Sequence, residues 1–436
     1  MGSGYQRQLG TLDAVMVVVG AIIGGGIYLN PPLVAKHTGS FTLSLSLWVL
    51  GGLITVAGGF CFAELGSRMP EAGGSYVYLR EAFGRLPAFL QGWALMFVNG
   101  PGSVAFNAAL CAKFFHFGSG CPESWQVPVG LAAIALLTLV NYVGVRPGAT
   151  TQNVLTTLKI GVLLLLAFAG LSGMGTAHTA PPPAPPSDPS WSDLGAAMVA
   201  VIFAYNGWQV VSFLAGEIDD ASRRLPRAIV GGIFGTMTVY LLANLAYVRA
   251  LGFSGLAATE LPAPPIMVNA FGEIGGKIMT WGVVVSTLGF LNVAILTVPR
   301  AFQTMAADGL FFTSIGRIHE RWRTPANAIV LQSIVASLLL LSNKFEELLA
   351  MVAFADATFL GLAAAALIRI RARDAAADPA VFRAPAHPLM PVFYMVACAG
   401  LVASSIAASP FKAGGGALLI VLGVPIYAYW ERQAKP

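Results

Sequence analysis

The stretch Val19-Gly20-Ala21-Ile22-Ile23-Gly24-Gly25-Gly26-Ile27-Tyr28 lies inside an apolar run long enough to cross a membrane, and its reading decides the fold. Each glycine in a helix interior costs about 1 kcal/mol relative to alanine, so a plain membrane anchor would not keep three in a row. The run predicts a helix interrupted at membrane depth. A second stretch, Phe203-Ala204-Tyr205-Asn206-Gly207-Trp208, sets an Asn-Gly pair, a strong turn signal, in the middle of another apolar run. Two helices are thus expected to be broken.

Working outward, the 436 residues are 56% hydrophobic and only 10% charged, where a soluble domain carries roughly 25% charged residues. Apolar runs of about 18 residues or more recur along the chain, each able to cross a hydrocarbon layer of roughly 30 Å. We read twelve spans, at 11–36, 42–64, 83–113, 127–144, 151–173, 194–216, 228–250, 278–305, 326–341, 346–369, 391–407 and 413–430, in one all-α polytopic membrane domain. The first ten residues hold only Arg7 as a charge and no small-residue cleavage site, so the first run reads as a retained span. With loops counted on alternate sides, eighteen of the 25 Lys and Arg residues fall together, six fall opposite and Lys159 lies inside span five. The positive-inside rule makes the richer side, with both termini, cytoplasmic. A bacterial-type inner membrane, the plasma membrane of such a cell, is the expected location.

Spans one and six are five apart, and because five is odd the second must cross in the opposite sense. That is the mark of an inverted-topology repeat, predicted over 11–173 and 194–369, with two peripheral helices over 391–430. The proline-rich APPPAPPSDPS at 180–190 reads as a stiff linker between the halves. Unwinding frees amides and carbonyls at membrane depth, which is tolerable only where they line a cavity and meet a ligand. A half-helix N-terminus attracts a carboxylate, and freed carbonyls at the other half-helix end attract an ammonium. Paired breaks therefore make a clamp for a zwitterion of the α-amino-acid kind.

Other chemistries find no support. The net charge is +5, but the basic residues are scattered through short loops, which argues against nucleic-acid binding. His37, His116, His178, His319 and His387 fall in loops or at span ends, and Cys61, Cys111, Cys121 and Cys398 lack metal-ligand spacing, so no metal and no cofactor is expected. No continuous polar stripe suggests a channel, and no clustered nucleophile and base suggests an enzyme.

Four stretches in order resemble the amino acid, polyamine and organocation transporter superfamily, above all its L-type amino-acid transporter branch. They are GAIIGGGIY at 20–28, AELGSRMPEAGGSYVYLREAFG at 63–84, TQNVLTTLK at 151–159, and FAYNGW at 203–208 with the following AGEIDDASRRLPRAI. Weaker agreement runs through Ser286 to Asn292, DGLF from Asp308 and FRAPAHPLMP from Phe382. The resemblance implies a leucine-transporter-like fold of ten helices in two inverted repeats plus two peripheral helices. It places the carboxylate of an L-amino-acid substrate near the Gly24, Gly25 and Gly26 amides and its amino group near carbonyls around Ile22, Phe203 and Ala204. Ile23 and Tyr205 complete the two broken stretches as candidate site residues. Phe203 resembles a gating aromatic, and Asn206 holds a position where relatives vary the residue with the substrate's side chain. A neutral polar residue there points to small or polar neutral substrates.

The chain departs from its relatives at Gly25, where many carry a serine, and at Asp356, where some L-type carriers carry asparagine. Asp356 is near the middle of span ten, so it is expected to face the bundle interior, find a partner or carry a proton. It joins the candidate substrate site. Lys159 stands where related sodium-coupled carriers would use a cation site, and its ammonium is expected to brace the span-one break near Ser286 and Thr287, with Asn292 in the same candidate coupling group. The resemblance thus implies a sodium-independent exchanger or uniporter of neutral L-amino acids working by alternating access. The alternative is a proton-coupled symporter of cationic amino acids or polyamines, with Asp356 or Lys159 titrating. Mammalian light chains link to a single-span heavy-chain partner through a cysteine in the loop that here holds Cys121; a lone loop cysteine is more often free or locally paired, with Cys111 as the neighbour, and a covalent partner is not expected.

Overall fold

The computed structural model describes residues 4–176, 188–342, 345–374 and 381–434, and among these every regular element is a helix. The 180–190 linker up to residue 187, His178, Lys344 and Lys435 lie outside the described residues. Among the described residues, ten helices are long and apolar enough to cross a membrane. An eleventh crossing is the bent pair Thr11–Ile22 and Gly26–Thr38, which meet at 44°, and the apolar helix Ala326–Ser342 lies where the ninth span is expected. Each of the twelve stretches read from the sequence holds a helix, and the chain is a polytopic membrane protein.

Span one ends its first half at Ile22, where Ile23 turns extended, and restarts at Gly26. Its second half carries Pro31, which has no N–H to give Ile27, and the Tyr247 hydroxyl donates to that carbonyl at 3.2 Å instead. Span two is Phe41–Arg68. Span three runs over Arg85–Ser119 but passes through a π turn at Leu95–Asn99. Spans four and five are Gln126–Tyr142 and Val145–Ser172. Span six is helical over Trp191–Tyr205, breaks at Asn206 and Gly207, and continues as a tighter 3₁₀ segment, Trp208–Glu217. Span seven is Ala221–Ala258. Span eight, Ala263–Thr297, continues into Pro299–Ala307, and spans ten, eleven and twelve are Phe345–Arg373, Leu389–Ala408 and Pro410–Ala434.

Three features depart from the sequence reading. Span seven extends past Arg249 through a bend at Gly252, φ +70°, and span eight begins fifteen residues early with a bend at Gly272, φ +63°, so the connection between them is mostly helix. Glycine φ values in the left-handed region let each helix turn a corner without a loop. A separate helix, Ser75–Phe83, precedes span three, and its short amphipathic run gives no span-length signal. Span five starts at Val145 and not at 151, so Lys159 sits at the middle of the helix.

The two breaks pack against each other at the centre of the bundle. Gly207, φ +116°, lies so close to span one that an added Cβ would come within 2.4 Å of the Ala21 carbonyl oxygen, and a Cβ on Gly26 would come within 2.9 Å of the Ala204 Cα. Behind span six, Trp48, Tyr205 and Tyr240 pack edge-on and tilted, with ring centroids 5.2–5.8 Å apart.

Candidate functional site

A cavity of about 180 Å³ opens between the two breaks. This is below the roughly 300–1,000 Å³ of sites for drug-sized ligands, and suits a small metabolite. Gly24, Gly25 and Gly26 line it from span one, Phe203, Ala204 and Asn206 from span six, and Asp356 from span ten. The amides of Gly24, Gly25 and Gly26 donate to no other group among the described residues. Free N–H groups at the start of a half-helix give the cavity a positive pole suited to a carboxylate.

The carbonyls freed at the end of the first half-helix have partners from three other spans. Lys159 is fully buried, and its Nζ donates to the carbonyls of Gly20 at 2.9 Å, Ile23 at 2.8 Å and Ser286 at 3.4 Å. Ser286 Oγ also reaches the Ile23 carbonyl at 3.4 Å. The Tyr240 hydroxyl lies 3.0 Å from the Ile22 carbonyl and 3.1 Å from the Ala204 carbonyl, so one group from span seven touches both breaks. Sequence reading missed Tyr240 because one aromatic in an apolar helix gives no periodic signal.

Some candidate residues stand apart from the cavity. Ile23 is fully buried and acts through its carbonyl. The Tyr205 ring packs on Trp48 and Tyr240 behind the break, beside a smaller cavity of about 80 Å³. Thr287 returns its hydroxyl to the Val283 and Val284 carbonyls of its own helix. Asn292 ties spans four and five together, accepting from Asn141 at 2.9 Å and donating to Gln152 at 2.9 Å and the Gly148 carbonyl at 3.1 Å.

Asp356 faces both cavities. Asn206 Nδ2 donates to one of its carboxyl oxygens at 3.1 Å, and Asn99, the last residue of the π turn, donates to the other. Gln91, Asn99 and Gln209 also line the larger cavity, and none was singled out from the sequence. The available signal was Asn-Gly-Pro-Gly at 99–102, a helix-disrupting run inside an apolar stretch.

The face that holds the N-terminus carries charge pairs and backbone pairing between distant segments. Arg300 grips Glu217 with two hydrogen bonds at 2.9 and 3.1 Å, and both side chains are fully buried. Gln8 and Leu9 donate their amides to the Glu217 carbonyl at 2.9 and 3.0 Å, and Asp219 returns an amide to Leu9 at 3.0 Å. Arg80 pairs with Asp308 at 2.7 Å. Burial works against the Arg80 charge, but the Asp308 carboxylate more than offsets it and raises the guanidinium above its ordinary value. All four cysteines are free, with Cys121 partly exposed.

Residues 9–425 match the amino acid permease family. The chain is 30% identical to the serine/threonine exchanger SteT of Bacillus subtilis, over 99% of this chain and 98% of that protein. It is 30% identical to the human large neutral amino acids transporter small subunit 2, over all of this chain and 83% of that protein, and to the human Asc-type amino acid transporter 1, over 99% and 84%. With broken helices around a central cavity and matches along its whole length, the chain belongs to the amino acid permease family, in the L-type-like part of the amino acid, polyamine and organocation superfamily, and is a membrane transporter of amino acids, not an enzyme.

Proposed function

We propose that the chain is a sodium-independent exchanger or uniporter of neutral L-amino acids working by alternating access, with 11–173 and 194–369 as inverted repeats, 391–430 as peripheral helices and both termini in the cytoplasm of a bacterial-type cell. The observation that carries this reading is the Lys159 ammonium seated on the Gly20, Ile23 and Ser286 carbonyls. Carbonyls freed at membrane depth need a partner, and a tethered cation supplies one without a bound ion. The Gly24, Gly25 and Gly26 amides stay available for the substrate carboxylate. Relatives named for exchanging serine and threonine and for carrying large neutral amino acids support the neutral class. The eighteen-to-six bias of basic residues supports the orientation. A heavy-chain partner through Cys121 is no part of this reading.

One observation favours a second reading. The Asp356 carboxyl lies between two amide donors inside the cavity, and an ionisable group so placed could load a proton or pair with a cationic amino acid or polyamine. Counterflow in proteoliposomes against a panel of amino acids, with and without sodium and pH gradients, separates the two. Saturable counterflow of neutral amino acids that ignores both gradients is expected. A requirement for sodium would refute the proposal, and acid-driven uptake of cationic substrates would replace it with the second reading.

A further inference from the structure

A directed chain of hydrogen bonds runs from the span-six break to span ten. The Gly207 amide can only donate, and it does so to Gln209 Oε1 at 3.1 Å. That fixes Gln209 Nε2 as the donor to Asn206 Oδ1 at 3.2 Å, which in turn fixes Asn206 Nδ2 as the donor to Asp356. Asn99 Nδ2 donates to the other carboxyl oxygen, so the chain from Gly207 and the Asn99 amide both end on Asp356.

The acceptors are left over. Asn99 and Gln91 are 7% and 5% exposed, and Asn99 Oδ1 and Gln91 Oε1 are buried without a partner. Gln91 spends its amide on Ser75. All these side chains line the same cavity as the Gly24–Gly26 amides. A buried acceptor with no donor costs about 1–3 kcal/mol, and a π turn such as the one carrying Asn99 is frequent at functional sites. The missing donors are best supplied by a ligand. The unpartnered oxygens belong to two neutral carboxamides, so the vacancy suits a neutral donor.

We infer that Asn99, Gln91 and Asp356 form a subsite that reads a hydrogen-bond donor on the substrate's side chain, so that a hydroxylated amino acid is selected over its apolar isostere. The inference rests on the neutral-amino-acid reading and gives it a specificity determinant. A hydroxyl donates a single hydrogen bond, to the free oxygen of either Asn99 or Gln91, and Asp356 holds the Asn99 carboxamide with its oxygen free.

Threonine and valine have nearly the same shape, so their counterflow efficiencies in proteoliposomes isolate the hydroxyl. A site that hydrogen-bonds a substrate hydroxyl rejects the analogue lacking it far more strongly than an apolar pocket rejects an added one. The expected threonine-to-valine ratio in kcat/KM is above tenfold for the unaltered protein, falling below about threefold in Asn99→Leu or in Gln91→Met, whichever removes the acceptor that the hydroxyl uses. Each ratio is read within one protein, so differences in folded amount cancel. Equal efficiencies in the unaltered protein overturn the inference while leaving neutral transport standing, and this arm needs no variant. An unchanged ratio in both variants overturns it as well, as does a preference for 2,3-diaminopropionate over threonine, which would mark a cation subsite. Failure to carry any neutral amino acid would instead bring down the reading on which the inference rests.

Discussion

A methyl group built on Gly25 would meet only the Leu110 and Leu29 side chains, at 3.6 and 3.8 Å, whereas on Gly26 it would lie 2.9 Å from the Ala204 Cα. The first is ordinary contact at the cavity wall, and the second is a collision with the backbone of the other break. Gly25→Leu should therefore fold and lose substrate binding by tenfold or more in calorimetric titration, because its branched side chain fills the space the carboxylate needs. Unchanged affinity would sink the clamp. Gly26→Ala should instead lower stability by about 1–3 kcal/mol, the usual cost of overpacking, seen as a lower melting temperature. Lys159 makes a third case. Its removal leaves the Gly20, Ile23 and Ser286 carbonyls without its ammonium, at about 1–3 kcal/mol for each buried acceptor left unpaired. Lys159→Ala should cut transport more than tenfold with no recovery in sodium, and near-normal exchange by that variant would refute the bracing role.

The broken helices were legible from the sequence because glycine and Asn-Gly carry a backbone cost or preference wherever they stand. What meets the freed groups was only partly legible. Lys159 stood out as the one basic residue assigned to neither face, and it does reach the span-one break. Tyr240 did not, because a tyrosine is unremarkable in a membrane helix until its rotation about the helix axis is known. The π turn was hidden for a similar reason: one inserted residue at Leu95–Asn99 turns Asn99 towards Asp356 without changing composition. Thr287 and Asn292 turn their side chains to their own helix and to spans four and five, since residues along a helix face in different directions. Because the Tyr240 hydroxyl touches both the Ile22 and the Ala204 carbonyl, it links spans one and six through span seven. Tyr240→Phe keeps the ring packing on Trp48 and Tyr205 and removes only this link. It should lower stability by about 1–3 kcal/mol and slow counterflow several-fold, with both measured on the same reconstituted protein. A variant indistinguishable from the unaltered protein in both would show that the breaks need no tether.

The alternating access proposed above requires that one face of the bundle be shut while the other is open, and on the face with the N-terminus contacts join distant parts of the chain. Gln8 and Leu9 from before span one, Glu217 from the end of span six and Arg300 from beyond span eight meet there, with the ion pair fully buried. A buried pair adds little net stability over an apolar replacement, but breaking it by removing one partner costs about 3–5 kcal/mol, because a charge is left unpaired in a dry site. The penalty applies only while Glu217 is buried, so it falls on the closed arrangement and is relieved on opening. Arg300→Met should therefore shift the balance towards the open arrangement by about a hundredfold or more. Ala72 reports on this, since it is 5% exposed and its carbonyl accepts from Thr304 at 3.1 Å, holding its loop against the helix that carries Arg300. With the four native cysteines replaced, Ala72→Cys should react with a thiol reagent at least tenfold faster in Arg300→Met than in the parent. The double variant Arg300→Met with Glu217→Gln removes both charges and should return most of the protection. Equal labelling in parent and single variant would mean that the pair does not hold this face closed. Fast labelling in the double variant would mean that the arginine closes the face by its shape and not by pairing with Glu217.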